Sequence, residues 1–137
     1  MAVVVVDASV VAAILFGEAT AEDAVERLDG SELAAPSLLP YEIASVASGK
    51  VRRGEASSEV AVMSLGTFAR MGIAMHDPDV VEVLRLTVRT GLTAYDAAYL
   101  WLARFLSADL VTLDGKLARV WSKLTPSGSR SRVNRER

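Results

Sequence analysis

Four consecutive valines, Val3 to Val6, run straight into an aspartate, Asp7, and this junction limits the fold more than any other stretch. A β-branched run without alternation has no polar face to offer water, so Ala2 to Val6 reads as a strand covered on both sides. Strands of that kind belong to parallel sheets, whose neighbouring strands need crossover connections, usually helices. The remaining sequence supplies them in rhythm. Ala8 to Phe16 predicts a helix ending at Gly17; Thr20 is the expected cap of a second, with Asp23 three residues on and Gly30 at its end. Glu32 to Ala35 predicts a second strand, stopped by Pro36. Ser37 is the expected cap of a long helix through Arg53, closed by Gly54. Glu55 to Met71 reads as an amphipathic helix with Val60, Met63, Phe68 and Met71 among its apolar positions. Ile73 to Met75 predicts a third strand, and Pro78 the first turn of a helix running to Thr90 and ended by Gly91. Thr93 opens a helix from Ala94 to Leu106, Asp109 to Leu113 predicts a fourth strand, and a last helix starts at Lys116. Strands alternating with helices define the α/β class: a three-layer α/β/α domain around a parallel sheet of about four strands.

A length of 137 residues suits one core. The expected domain covers 1–125, and 126–137 reads as a basic Arg/Ser-rich tail. The net charge of −2 is unevenly spread: the tail carries four arginines and one glutamate, so the first 125 residues hold the acidic excess. The tail reads either as a solvated terminus or as a segment that touches nucleic acid or a partner. The apolar first 16 residues lack the basic start of a signal peptide, since the first basic side chain is Arg27. Asp7 also breaks the run far short of a membrane span. With no cysteine, these features predict a soluble, cytoplasmic protein.

Composition next narrows the chemistry. With no cysteine and one histidine, His76, thiolate zinc sites, cysteine nucleophiles, disulfides and multi-histidine metal sites are excluded. Site chemistry falls to carboxylates, hydroxyls and Lys/Arg. Ligands of open parallel sheets bind where strands end and helices begin. Asp7 follows the first strand and Asp114 the last; Asp96 sits in the first turn of the Thr93 helix, and Glu42 early in the helix after the second strand. Singly, Asp7 and Asp114 also read as N-caps, and Asp96 as the capping-box partner of Thr93. Glu42 resists that reading, lying too far into a helix beside Ile43 and one turn from Leu38, Leu39 and Val46. Four clustered acids without a base repel one another and hold their protons more tightly. A divalent cation removes the penalty, and an all-oxygen donor set favours Mg²⁺ or Mn²⁺ over zinc. Such an ion polarises a phosphoryl group and lowers the pKa of water.

The strings Val5-Val6-Asp7-Ala8-Ser9-Val10, Pro40-Tyr41-Glu42-Ile43, Leu92-Thr93-Ala94-Tyr95-Asp96-Ala97-Ala98-Tyr99 and Leu110-Val111-Thr112-Leu113-Asp114-Gly115-Lys116-Leu117 resemble the PIN-domain ribonucleases. Within that family they resemble the VapC toxins of type II toxin–antitoxin systems, over residues 3–119. The resemblance implies a PIN-like fold and a Mg²⁺- or Mn²⁺-dependent endoribonuclease that hydrolyses RNA to 5′-phosphate and 3′-hydroxyl ends. It makes Asp7, Glu42, Asp96 and Asp114 the catalytic and metal-holding acids, with Asp7, Asp96 and Asp114 holding one or two ions and Glu42 orienting the attacking water or joining them. Ser9 and Thr112 become supporting hydroxyls, although they read equally as a helix-start serine and a strand threonine. It further implies a homodimer, a toxin that inhibits translation, and silencing by a DNA-binding, VapB-like antitoxin.

Two departures stand beside the likeness: residues 120–125 contain no convincing closing strand, and Leu117 and Ala118 stand where some relatives carry another acid. An acidic domain that binds RNA needs local positive charge. The candidates are Lys116 and Arg119 beside Asp114, then Lys50, Arg52 and Arg53 at a helix end, and the tail arginines. Arg52 and Arg53 also read as helix-dipole partners on a solvated face. His76 reads as a strand-end residue, and Tyr99 and Trp101 as core or dimer packing. Three other classes compete. One is a catalytically inactive PIN-like module that binds RNA or protein. A receiver-type domain wants paired acids at its first strand, and a haloacid-dehalogenase-like phosphatase needs Asp-x-Asp where this chain has Asp7-Ala8-Ser9.

Overall fold

The computed structural model describes residues 1–124; the basic segment 126–137 and the boundary expected at 125 lie outside the described residues. The chain alternates as expected: β1 (Val3–Val6), α1 (Ala8–Leu15), α2 (Ala21–Leu28), β2 (Glu32–Pro36), α3 (Leu39–Arg52), α4 (Ser58–Ala69), β3 (Ala74–His76), α5 (Val80–Thr90), α6 (Ala94–Phe105), β4 (Asp109–Val111) and α7 (Gly115–Leu124). All strand pairs are parallel, in the order β3-β2-β1-β4. The valine run is therefore central, and Val5 and Val6 are wholly buried. Helices gather in two sets, α1 with α2, α3 and α4, and α6 with α5 and α7; α6 lies on β1, β2 and β4. This is the three-layer α/β architecture. Among the described residues no helix is long and apolar enough to cross a membrane.

The strand order positions the site. The chain winds outward from β1 through β2 to β3, then returns to place β4 on the other side of β1. Connections leaving the carboxyl ends of β1 and β4 diverge there, which opens a crevice at the strand ends. Asp7 and the Thr112–Asp114 turn sit at that edge.

Several boundaries differ from the sequence reading for local reasons. Pro36 does not stop β2 but ends it, opposite His76 of β3. Ser37 continues the extended chain, its N–H donating to the His76 carbonyl at 2.8 Å, and α3 starts one residue too late for it to be the cap. Leu38 takes the cap position without a side-chain bond, and Pro40 falls in the first turn, where its missing N–H costs nothing. Thr20 likewise makes no side-chain cap bond. Pro78 lies before α5, which is capped by Asp79 through the N–H groups of Val81 and Glu82. Ser57 caps α4 and moves its start past Glu55. That helix also buries less than its pattern promised: Phe68 and Ala61 are inside, while Val60, Val62 and Met63 stay exposed.

Candidate active site

Asp7 is the hub. Extended backbone at Asp7 lets its Oδ1 accept from the Val10 N–H at 3.3 Å, a helix N-cap that satisfies one of the free donors of α1. The same oxygen accepts from the Ser9 hydroxyl at 2.6 Å, and Oδ2 accepts from the Thr112 hydroxyl. Each hydroxyl is itself anchored in the turn after β4: Ser9 accepts from the Leu113 N–H at 2.9 Å, and Thr112 from the Asp114 N–H at 3.0 Å. One buried carboxylate thus ties the first strand–helix junction to the last. Ser9 and Thr112 both contact Asp7, which neither of their bland readings required.

Each other acid is set by its own helix. Asp114 caps α7, accepting from the Leu117 N–H at 3.0 Å, and is otherwise exposed. Thr93 caps α6 by accepting from the Asp96 N–H at 3.2 Å, which puts the Asp96 carboxylate in the first turn. Glu42, in the first turn of α3, accepts from the Tyr99 hydroxyl at 2.6 Å, across 57 residues of sequence. The capping readings and the cluster reading are therefore compatible, because Asp7 and Asp114 do both.

The four acids feel one another. Burial holds the Asp7 carboxyl above the usual carboxylate range; Ser9, Thr112 and Val10 pull it back, and the Asp114 charge pushes it up again. Burial also raises Glu42, offset by the Tyr99 hydroxyl and reinforced by Asp96 and Asp7. Asp96 is raised by burial and by Asp114 and Asp7, with Lys116 and Thr93 acting the other way. Tyr99 in turn is pushed far above the ordinary phenol range by burial and by Glu42, so it remains a donor. Among the described residues no salt bridge reaches any of the four acids. No three acids among the described residues stand close enough to form a ready metal cage.

These shifts fix a pH dependence. A carboxyl whose folded pKa is raised holds its proton better in the folded state, so its contribution is complete below the unfolded value and is lost as pH rises through the folded one. Asp7, Glu42 and Asp96 start from 3.8, 4.5 and 3.8. With divalent ions chelated, lowering the pH from 7 towards the upper edge of that range is expected to raise resistance to urea. Urea melts across this interval check it; a loss of stability over the same interval contradicts the coupling.

Of the candidate cations among the described residues, Lys116 alone is coupled to an acid of the cluster, Asp96; it is exposed and donates to the Gly91 carbonyl at 3.3 Å. Arg119 is exposed one turn further along α7. Lys50, Arg52 and Arg53 are not brought to the four acids, since they lie at the far end of α3, roughly 12–16 Å along its axis from Glu42. Lys50 pairs with Glu18 and Glu55, each at 3.7 Å, and lies over the Phe16 ring; Arg53 forks Glu55. Arg52 lines a groove between α3 and α4 with Ala47, Val51, Ala61 and Leu65. Sequence reading missed Tyr99, which it assigned to packing. Its ring is indeed buried, but its hydroxyl orients Glu42. The available signal was the three-residue spacing from Asp96, which puts both on one helix face.

A β3-β2-β1-β4 parallel sheet with coupled acids at its carboxyl edge defines a class, and the chain belongs to it: it is a member of the PIN-domain family, whose family model matches residues 4–122. Among individual proteins it is 34% identical to Ribonuclease VapC3 of Pyrobaculum aerophilum over 125 residues, 88% of this chain and 95% of that one. The crystal structure of PAE2754 from Pyrobaculum aerophilum superposes with a TM-score of 0.68 at 30% identity, covering 85% of this chain and 77% of that one. Mycobacterium tuberculosis VapC20, a sarcin–ricin loop cleaving toxin, shares the fold with a TM-score of 0.66 at 18% identity, covering 85% and 94%.

Proposed function

We propose that this chain is a metal-dependent endoribonuclease, the toxin of a toxin–antitoxin pair, acting through Asp7, Glu42, Asp96 and Asp114. The observation that carries the reading is the mutual charge coupling of four acids from four separate segments. The PIN-domain match and the 34% identity to a VapC ribonuclease support it.

The donor set fits a hard divalent cation, Mg²⁺ or Mn²⁺, because it is all oxygen and carries excess negative charge. Since the acids form no ready cage, they suit an ion held partly through water. When bound, such an ion supplies charge neutralisation at the phosphate and a more acidic water. The protein's own part follows from its hydrogen bonds. Asp7 has spent both lone pairs of Oδ1 and one of Oδ2, so a single direction remains, fixed by Thr112. Asp114 is held at its helix start by the Leu117 N–H, and Asp96 stands in the first turn of a helix capped by Thr93, which accepts from the Asp96 N–H. Glu42 keeps its Oε1 on Tyr99 and offers Oε2 to orient a water or take its proton.

Lys116 is the group in this reading that receives a backbone phosphate, and Arg119 extends the same face. Lys116→Gln is expected to weaken RNA binding and to reduce the slope of log affinity against log salt by about 0.7. Titrations at several salt concentrations check this; an unchanged slope removes Lys116 from the interface.

The partners in this reading are RNA, a VapB-like antitoxin and a second copy of the chain. Exposed Val80, Val81, Leu84 and Val88 on α5, and Val60, Val62 and Met63 on α4, provide apolar area for protein partners. The test of the proposal is cleavage of total RNA with Mg²⁺, Mn²⁺ or EDTA. Cutting that requires the ion and leaves 5′-phosphate ends supports it. Failure of well-folded, antitoxin-free protein to cut favours a binding module instead.

A further inference from the structure

The chain has three tyrosines, and all three stand beside the acids of the site. Tyr99 is buried and donates to Glu42. The other two behave oppositely. Tyr41 immediately precedes Glu42 and is 79% exposed; Tyr95 immediately precedes Asp96 and is 64% exposed. Each occupies the first turn of its helix, α3 or α6, at the level of the acid that follows it. The Tyr99–Glu42 hydrogen bond ties these two helices together. Two exposed phenol rings therefore stand in the first turns of the two helices that supply Glu42 and Asp96, each next in sequence to its acid.

Neither ring is used by the fold. Tyr41 and Tyr95 lie outside the core and make no hydrogen bond or ring contact among the described residues. Without a bound cation the four acids repel phosphate, and among the described residues Lys116 is the one cation coupled to an acid of the cluster, Asp96. Beyond the phosphate contacts of Lys116 and the cation, the part of a single-stranded RNA left to supply affinity is the base. Every base has a π-face, and exposed aromatic rings beside a cleavage site are the usual platforms for unstacked bases.

We propose that Tyr41 and Tyr95 are base-stacking platforms that hold the nucleotides flanking the scissile phosphate. The inference rests on the ribonuclease reading above and adds the chemistry by which the substrate is gripped. It makes the substrate an unpaired segment of RNA, since bases stacked on each other within a duplex are not free to lie on a side chain.

The test begins with total RNA, in which the sites cut by the wild-type protein are mapped. A single-stranded oligonucleotide spanning one mapped site then carries 2-aminopurine next to the cut. Tyr41→Ala and Tyr95→Ala are each expected to raise KM for this oligonucleotide roughly tenfold with little change in kcat, and to relieve the 2-aminopurine quenching seen with wild type. Tyr41→Phe and Tyr95→Phe keep a π-face and are expected to stay near wild type on both readouts. The tenfold ratio should persist as salt is raised, unlike the effect of Lys116→Gln. Alanine variants with wild-type KM and quenching overturn the stacking role and leave the ribonuclease reading intact. A wild-type protein that cuts nothing in total RNA overturns the reading itself, and the stacking role with it.

Discussion

Asp96→Asn is expected to lower RNA cleavage about a hundredfold or more while leaving the protein at least as resistant to urea as wild type. The two outcomes share one cause. The Asp96 carboxylate is half-buried, and burial and the charges of Asp114 and Asp7 make its ionised form unfavourable. An amide of the same shape removes that repulsion and keeps the backbone N–H that Thr93 caps. It also removes one negative charge from the site that would hold the cation. A further readout separates this from a general defect: Mn²⁺ should raise the melting temperature of wild type by roughly 5 °C or more at saturation and that of the variant much less. Cleavage at the wild-type rate would take Asp96 out of the chemistry.

Thr112→Val should lose both activity and stability, the second by about 2 kcal/mol. Valine fills the same volume but deletes a hydroxyl that does two jobs. That hydroxyl donates to the buried Asp7 carboxylate and accepts from the Asp114 N–H. Its loss leaves a buried charge short of one donor and frees Asp7 to turn, so the last lone-pair direction is no longer held. Thr112→Ser keeps the hydroxyl and is expected to restore most of both properties. Denaturant midpoints and cleavage rates of the two variants, measured side by side, check this. A valine variant as stable as wild type would mean that Ser9 and Val10 suffice to hold Asp7.

Much of the framework was legible because local physics and global packing agree there. The valine run has no alternative to a doubly covered strand, and it became the sheet's centre. Asp7, Asp96 and Asp114 were readable as site candidates because each sits where a strand ends or a helix starts, which one-dimensional spacing reveals. Ser37 was misread because a cap rule sees only the next three residues. Its N–H was taken by His76 of a strand 39 positions away. Tyr99 was half-read for a similar reason: a buried aromatic is inferable from its helix face, but its hydrogen bond needs α3 to pack against α6. Lys50 and Arg53 were read as candidate RNA contacts, and nothing local shows that they pair with Glu18 and Glu55. The amphipathic face of α4 was readable as apolar, whereas its exposure was not.

The double duty of Asp7 has a genetic consequence. An acid proposed to serve the reaction that also ties β1 to the β4 turn cannot be lost without loosening the fold. Asp96 carries no such tie. In a selection for cells that survive expression of this chain, escape mutations should fall into two groups. Changes at Asp96 would leave abundant, silent protein that still occupies its antitoxin. Changes at Asp7, Ser9 or Thr112 would leave little protein at all, because a chain that opens more often is cleared by proteases. Immunoblots of the survivors would sort them, and would thereby sort the residues that serve the reaction alone from those that also hold the molecule together.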